Sequence, residues 1–318
     1  MSKNLSVTSD SVSYSFRDAT GPIDYGFVND YMFRTILQEN ERVLRGLICA
    51  LLHLEAEDIR SIEIKNPILP GDTFDAEEFI LDVEITLNND TLINLEMQVV
   101  NEYNWPERSL SYLCRRFDQL GKGQDYTECK PAVHIGFLDF TPFPECPEFY
   151  ATYKLLNIKN QHLYSDKFIL SVVDLTHIEL ATDEDKAYGI DRWARLFKST
   201  TWEEIRMIAE NNPILTEASE KLYTYNADEM ARQRSQARAE YLAHERAVNN
   251  RLAKLSEENA ILVSEKQEWA AEKQAMAAEN QALAAEKQEL AVEKQDMAAE
   301  IERLRAQLAT FENPNVSK

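Results

Sequence analysis

The chain has 318 residues, 44% hydrophobic and 28% charged, which is a globular composition long enough for about two domains. Its 34 Lys+Arg against 55 Asp+Glu give a formal net charge of −21, which excludes a protein steered to nucleic acid by a basic field over its whole surface, though not one with a local basic groove. With 8 Gly and 10 Pro, and no GxGxxG or GxxxxGK[ST], collagen-like folds, loop-dominated folds and glycine-rich phosphate cradles are excluded as well.

Residues 1–22 are rich in Ser, Thr and Asp and predict a mobile tail. From Asn29, apolar residues at Met32, Phe33, Ile36, Leu37, Val43, Leu44, Leu47, Ile48, Leu51 and Leu52 have helix spacing, with Asn29 or Asp30 as the N-cap. IRSIEIKNPIL reads as a strand ending near Pro67. FILDVEITL and TLINLEMQVV read as two strands joined by the turn residues Asn88, Asn89 and Asp90. ERSLSYLCRRFDQLGKG predicts a helix stopped by glycine. AVHIGFLDF, FYATYKLL and FILSVVDLT predict three further strands, and the text from Asp183 to about Glu240 is helical. Residues 23–240 therefore read as one mixed α/β domain with a helical end.

From Tyr241 to Phe311 an apolar residue recurs every seven, through Leu255, Leu262, Trp269, Met276, Leu283, Leu290 and Met297. With these as d, the a positions include Asn259, Lys266, Lys273, Asn280, Lys287 and Lys294, and glutamate fills g from Glu265 to Glu300. A sustained heptad over 241–312 predicts a long coiled-coil helix. Asn and Lys at a favour two strands in one register, so a parallel homodimer is expected, with a helix folded back on its own domain as the rival. Residues 313–318 are expected to be disordered.

The most informative stretch is Phe79–Val99. Side chains on a strand alternate faces. A three-residue loop at 88–90 sets Leu87 across from Thr91, and Asp82 then falls opposite Glu96. A two-residue loop would send the two acids to opposite faces. Two carboxylates facing each other at about 5 Å resist joint ionisation, and a hard divalent cation such as Mg²⁺ relieves this. Bound there, the ion polarises a phosphodiester and acidifies water, which Gln98 on the same face is placed to orient. The alternative is that Asp82 and Glu96 decorate the wet face of a sheet.

These residues resemble a known family. D-x(13)-E-x-Q on adjacent strands after a first helix resembles the PD-(D/E)XK nuclease fold, and more narrowly its recombination-promoting nuclease and transposase family, which carries E-x-Q for E-x-K. The resemblance takes in NDYMFRTIL, LDVEI and LEMQV, then Arg108, Tyr112, Gly123, Tyr126, Pro131 and Ile135. It covers residues 24–145 well and 24–240 more loosely. It implies a metal-dependent DNA endonuclease with a mixed central sheet flanked by helices. By position, Asp82 and Glu96 are implied as metal ligands with the Met97 carbonyl, for Mg²⁺ or Mn²⁺. Gln98 stands in the place of the fold's lysine, and Asp30 is an additional acid or a helix N-cap. A neutral amide lacks the lysine's charge and should stabilise the developing phosphorane less.

Arg108, Tyr112 and Arg115 or Arg116 share one side of the following helix. They form a phosphate-gripping ridge, extended by Lys122 and Lys130, or else offset acidic neighbours. Charge works against easy DNA binding. Residues 241–318 carry 10 Lys+Arg and 14 Asp+Glu, a net of −4, which leaves −17 on residues 1–240. Affinity for DNA is expected to be weak, steeply salt-dependent or dependent on help from a partner.

Cys49, Cys114, Cys129 and Cys146 include no CxxC pair and read as free buried thiols. The five histidines fit no metal-ligand spacing, and His134 reads as a packed or solvent-edge strand residue. Trp105, Trp193 and Trp202 read as packing residues, and Glu39 and Glu41 as surface glutamates. No apolar run approaches the roughly 20 residues of a membrane span and no secretory signal opens the chain, so a cytoplasmic location is expected. The competing functional reading is a non-catalytic interaction protein that keeps a nuclease-like scaffold and acts through its coiled coil. RNA as substrate shares the same chemistry.

Overall fold

The computed structural model describes residues 15–65 and 82–312, with side chains through residue 308. Contacts divide the chain into one unit ending at Asn249 and a second beginning at Asn250. The first unit is built on a six-stranded sheet. Its strands are β1 (Ile62–Ile64), β2 (Val83–Leu87), β3 (Thr91–Gln98), β4 (Ala132–Leu138), β5 (Tyr150–Leu156) and β6 (Leu163–Asp174). The order across the sheet is β1-β2-β3-β4-β6-β5. The β1–β2, β2–β3 and β5–β6 pairs are antiparallel, while β3, β4 and β6 run parallel. The sheet is thus mixed, as the family resemblance implies.

The helices are α1 (Asp30–Glu39), α2 (Glu41–Leu52), α3 (Trp105–Phe117), α4 (Asp183–Tyr188), α5 (Ile190–Lys198), α6 (Trp202–Ala209), α7 (Pro213–Ala227) and α8 (Glu229–Glu312). Side-chain caps set where several begin. Asn29 accepts from the Met32 N–H and Asn40 from that of Val43. Thr201 and Glu204 form a capping box at α6, and Asn212 caps α7, which starts on Pro213. Each side-chain oxygen satisfies an N–H that the first helical turn leaves over.

One face of the sheet carries the main core. Val83, Ile85, Ile93, Leu95, Val133, Ile135, Phe137 and Val173 pack there with Met32, Phe33, Ile36 and Leu37 of α1. Phe33, Phe137 and Phe197 meet edge-on with centroids 5.3–5.6 Å apart, a geometry that aromatic quadrupoles favour. The other face is covered by α3, over a small cluster of Trp105, Leu138 and Val172.

Several expectations are corrected. Residues 15–22 are not a mobile tail, because Phe16 is buried in the core and Gly21 and Ile23 are hydrogen-bonded to the α5–α6 region. Residues 1–14 and 313–318 lie outside the described residues, as do the end of the first predicted strand near Pro67 and the start of the second at 79–81. α3 is not stopped by glycine; it ends at Asp118, three residues before Gly121, where ψ turns to 67°. Nor are all the thiols buried. The four cysteines are free, but Cys114 and Cys146 are exposed. α8 begins at Glu229 and runs unbroken past 240, so Tyr241 and Val248, read as the first d positions, belong to the first unit.

In the second unit the helix continues with its d side chains exposed, among them Leu262, Trp269, Met276 and Leu290. No helix among the described residues is long and apolar enough to cross a membrane.

Candidate active site

The site begins with a turn. Asn88 and Asn89 adopt left-handed φ values of 54° and 63°, conformations that asparagine tolerates better than most residues. The Asn88 side chain accepts from the N–H groups of Arg60 and Ser61 and donates to the Asp58 carbonyl. With the turn held this way, Leu87 pairs with Thr91 and Val83 with Leu95. Continued by one residue, this register sets Asp82 opposite Glu96. Both carboxylates are buried, at 5% and 3% exposure.

The face they share is not wet, because α3 lies across it. On the far side of Glu96, β3 pairs with β4 at Gly136. A Cβ at Gly136 would overlap the Trp105 ring, so this glycine lets the first turn of α3 lie directly on the strand. One turn on, α3 brings Arg108 to the acids. The Arg108 Nε donates to Glu96 Oε1 at 2.8 Å, and its guanidinium lies 3.7 Å from Glu102. Arg116 forms an ion pair with Glu84. Tyr112 stacks on His134. Arg115 is exposed. Of the four residues read as a phosphate ridge, Arg108 and Tyr112 therefore line the acid pocket, Arg116 is tied to a neighbouring acid, and Arg115 is on the surface.

His134 is fully buried beside Glu96, with its Nε2 at 3.5 Å from Oε2. Asn94 donates from Nδ2 to His134 Nδ1 at 3.0 Å and its side chain also hydrogen-bonds Asp82. Burial raises the pKa of Asp82 above the ordinary range against the opposing pull of Arg116 and Arg34. Burial likewise raises that of Glu96, helped by the Asp82 charge and opposed by Arg108. The His134 ring is pushed down to about 3 by burial and by Arg108 and Arg116, so it is neutral.

Asp30 is not the N-cap of α1, since Asn29 has that role. It is buried at the helix start and held by Arg238 of α8, whose Nε lies 2.7 and 2.9 Å from its two carboxylate oxygens. Gln98 donates from Nε2 to the Val100 carbonyl at 3.0 Å, which leaves its amide oxygen free to accept. Asp30, Asp82, Glu96, Met97, Gln98, Arg108 and Tyr112 line one pocket of about 140 Å³, closed on one side by Arg238, Tyr241 and Glu245 of α8. The structure thus brings together all the acids proposed from sequence. Asn94, His134 and Arg238 were missed. Asn94 sits two residues before Glu96 on the same strand face, so alternation alone pointed to it. His134 needed the β3–β4 register, and nothing local marks Arg238, which comes from more than 200 residues beyond Asp30.

Among the described residues, no three His, Cys, Asp or Glu side chains are grouped to hold a metal ion. Two buried carboxylates beside Met97 nevertheless fit a hard ion that keeps several waters. Glu96 Oε2 is a buried acceptor without a hydrogen bond, 3.5 Å from the likewise unpartnered His134 Nε2, so it has lone pairs left for an ion.

No curated protein and no solved structure matches the chain. The family model for PD-(D/E)XK nuclease family transposases matches residues 27–251, which spans α1, the whole sheet and the α8 wall of the pocket. The chain belongs to the PD-(D/E)XK nuclease family of transposases.

Proposed function

We propose that this chain is a metal-dependent DNA endonuclease of transposase or recombination type. The observation that carries the reading is the burial of Asp82 and Glu96 opposite each other in one pocket with Gln98. Asp82, Glu96 and the Met97 carbonyl are the groups for Mg²⁺, with Mn²⁺ as a substitute. Such an ion, when bound, supplies Lewis acidity toward a phosphate oxygen and lowers the pKa of water. The chain's own residues do the rest. Gln98 Oε1 would orient the attacking water, Arg108 in the pocket lining would offset developing phosphate charge, and α3 with the start of α8 limits solvent access.

Plasmid nicking in Mg²⁺ or Mn²⁺ tests this. Wild type should nick, and Asp82→Ala should not while keeping its circular dichroism spectrum. Wild-type protein inert with both metals would overturn the proposal. One observation favours the non-catalytic interaction reading, namely that Arg108 already occupies Glu96 Oε1, and that inert result is what this reading expects.

The chain is also proposed to work as a parallel homodimer through its heptad helix. Between Glu265 and Ala299, the residues three and four positions from each g glutamate are at c and d and include no lysine or arginine, and those from each a lysine are at d and e and include no acid. Intrahelical Glu–Lys pairing at those spacings is therefore absent. In a parallel pair the g glutamate lies beside the partner's a lysine, whereas an antiparallel pair sets glutamate against glutamate. In sedimentation at micromolar concentration the full chain should be a dimer and K266E/K273E/K287E/K294E a monomer. A monomeric wild type, or an unchanged variant, would refute this.

A further inference from the structure

We infer that His134 is a positioning residue for Glu96, a neutral imidazole whose Nε2–H holds the carboxylate oxygen that Arg108 leaves open, while Asn94 ties the same ring to Asp82. The placement of the imidazole proton follows from Asn94. Its side chain hydrogen-bonds the Asp82 carboxylate and lies 3.0 Å from His134 Nδ1. An amide NH₂ only donates, so the Asn94 Nδ2 gives a hydrogen to His134 Nδ1. Nδ1 is then an acceptor, and the proton of the neutral ring sits on Nε2, 3.5 Å from Glu96 Oε2.

Neither Glu96 Oε2 nor His134 Nε2 has a hydrogen-bond partner elsewhere, and the two buried atoms face each other at 3.5 Å. The ring has little freedom to turn. It stacks on Tyr112 at 5.8 Å with the planes 4° apart, and Trp105 packs 5.6 Å away. Burying an imidazole costs free energy unless its nitrogens are used. Here both nitrogens face the polar groups of the pocket. Asp82, Asn94, His134, Glu96 and Arg108 thus form one chain of contacts, charged donor at one end and neutral donors within it, that fixes both acids before any ion arrives. Outer groups that orient ligands in this way commonly change metal affinity by about 10- to 100-fold.

The contact itself belongs to the metal-free chain; only its consequence for metal affinity rests on the endonuclease reading. The test uses the full chain with ¹⁵N-labelled histidine. Long-range ¹H–¹⁵N spectra at pH 7.5 without metal should show His134 protonated on Nε2 and bare on Nδ1. An Nδ1–H ring or an imidazolium would overturn the inference. Calorimetric titration with Mn²⁺ supplies the second readout. His134→Leu should weaken binding about ten-fold or more, and His134→Gln, which keeps a donor, should recover most of the loss. Equal binding by His134→Leu and wild type, or equal loss in both variants, would overturn it. A wild type that binds no Mn²⁺ would count against the endonuclease reading instead, and the tautomer measurement would still decide the contact.

Discussion

Replacing Gly136 with alanine probes the packing on which the site depends. Gly136 sits between Glu96 on β3 and Val172 on β6. A Cβ there would lie well inside contact with Cη2 and Cζ2 of Trp105 and 3.3 Å from Cζ3. The indole is 3% exposed and packed with Leu138 and Val172, so it cannot yield without displacing its neighbours. Either α3 lifts or the ring leaves its rotamer. Overpacking of this kind costs about 1–3 kcal/mol. In a unit of this size each kcal/mol lowers Tm by about 2–4 °C, so the expected drop is about 2–12 °C. Scanning calorimetry of the full chain without metal measures it. Trp105→Phe removes the ring that clashes, so G136A/W105F should be more stable than the two single losses predict, with a coupling of about 0.5–3 kcal/mol. Arg108 rides on the same helix turn, so the Glu96 contact should loosen in G136A alone. A G136A protein melting within about 1 °C of wild type, or additive losses, would refute the reasoning.

Asp82→Asn should stabilise the metal-free chain near pH 8 in urea titrations. Burial raises the Asp82 pKa, so the folded chain takes up a proton more readily than the unfolded one. The wild-type contribution is then most favourable below the ordinary carboxylate range and is lost as pH rises to the raised value; the advantage of the variant should accordingly shrink as pH falls through that window, and a pH-independent difference would contradict it. Arg238→Ala leaves Asp30 buried without the cation that grips it, and breaking such a pair costs about 3–5 kcal/mol; a loss below 1 kcal/mol, on the order of a surface pair, in the same titration would show that α8 is not anchored there. For DNA, the binding constant should fall steeply with salt, and Arg115→Glu should reduce the slope of log K against log salt by about one. An unchanged slope would remove Arg115 from the interface.

The fold was readable where local chemistry was strong. Asn88 and Asn89 announced a turn, and alternation on both sides of it fixed the loop length and with it the pairing of Asp82 with Glu96. Asn29 and the apolar spacing behind it marked α1. Legibility failed where a distant segment decided the outcome. Phe16 looked like part of a polar tail because nothing nearby shows that the α6–α7 region receives it. Whether the acid face was wet stayed open, because alternation says which side chains share a face but not what covers it. The cover is α3, admitted by a missing side chain at Gly136. His134 read as a packed or solvent-edge residue because its partner, Asn94, is 40 residues earlier. Arg108 and Arg116 showed the opposite ambiguity. Their spacing suits a phosphate ridge, yet the nearest negative charges they find are Glu96, Glu102 and Glu84.

The indole that fills the gap at Gly136 also makes the chain its own optical probe. Trp105 is shielded from water and sits one ring away from His134. Its emission should therefore respond to changes in the electric field around the two acids. With the tryptophans at 193, 202 and 269 replaced by phenylalanine, occupancy of the pocket becomes a fluorescence signal that needs neither substrate nor turnover.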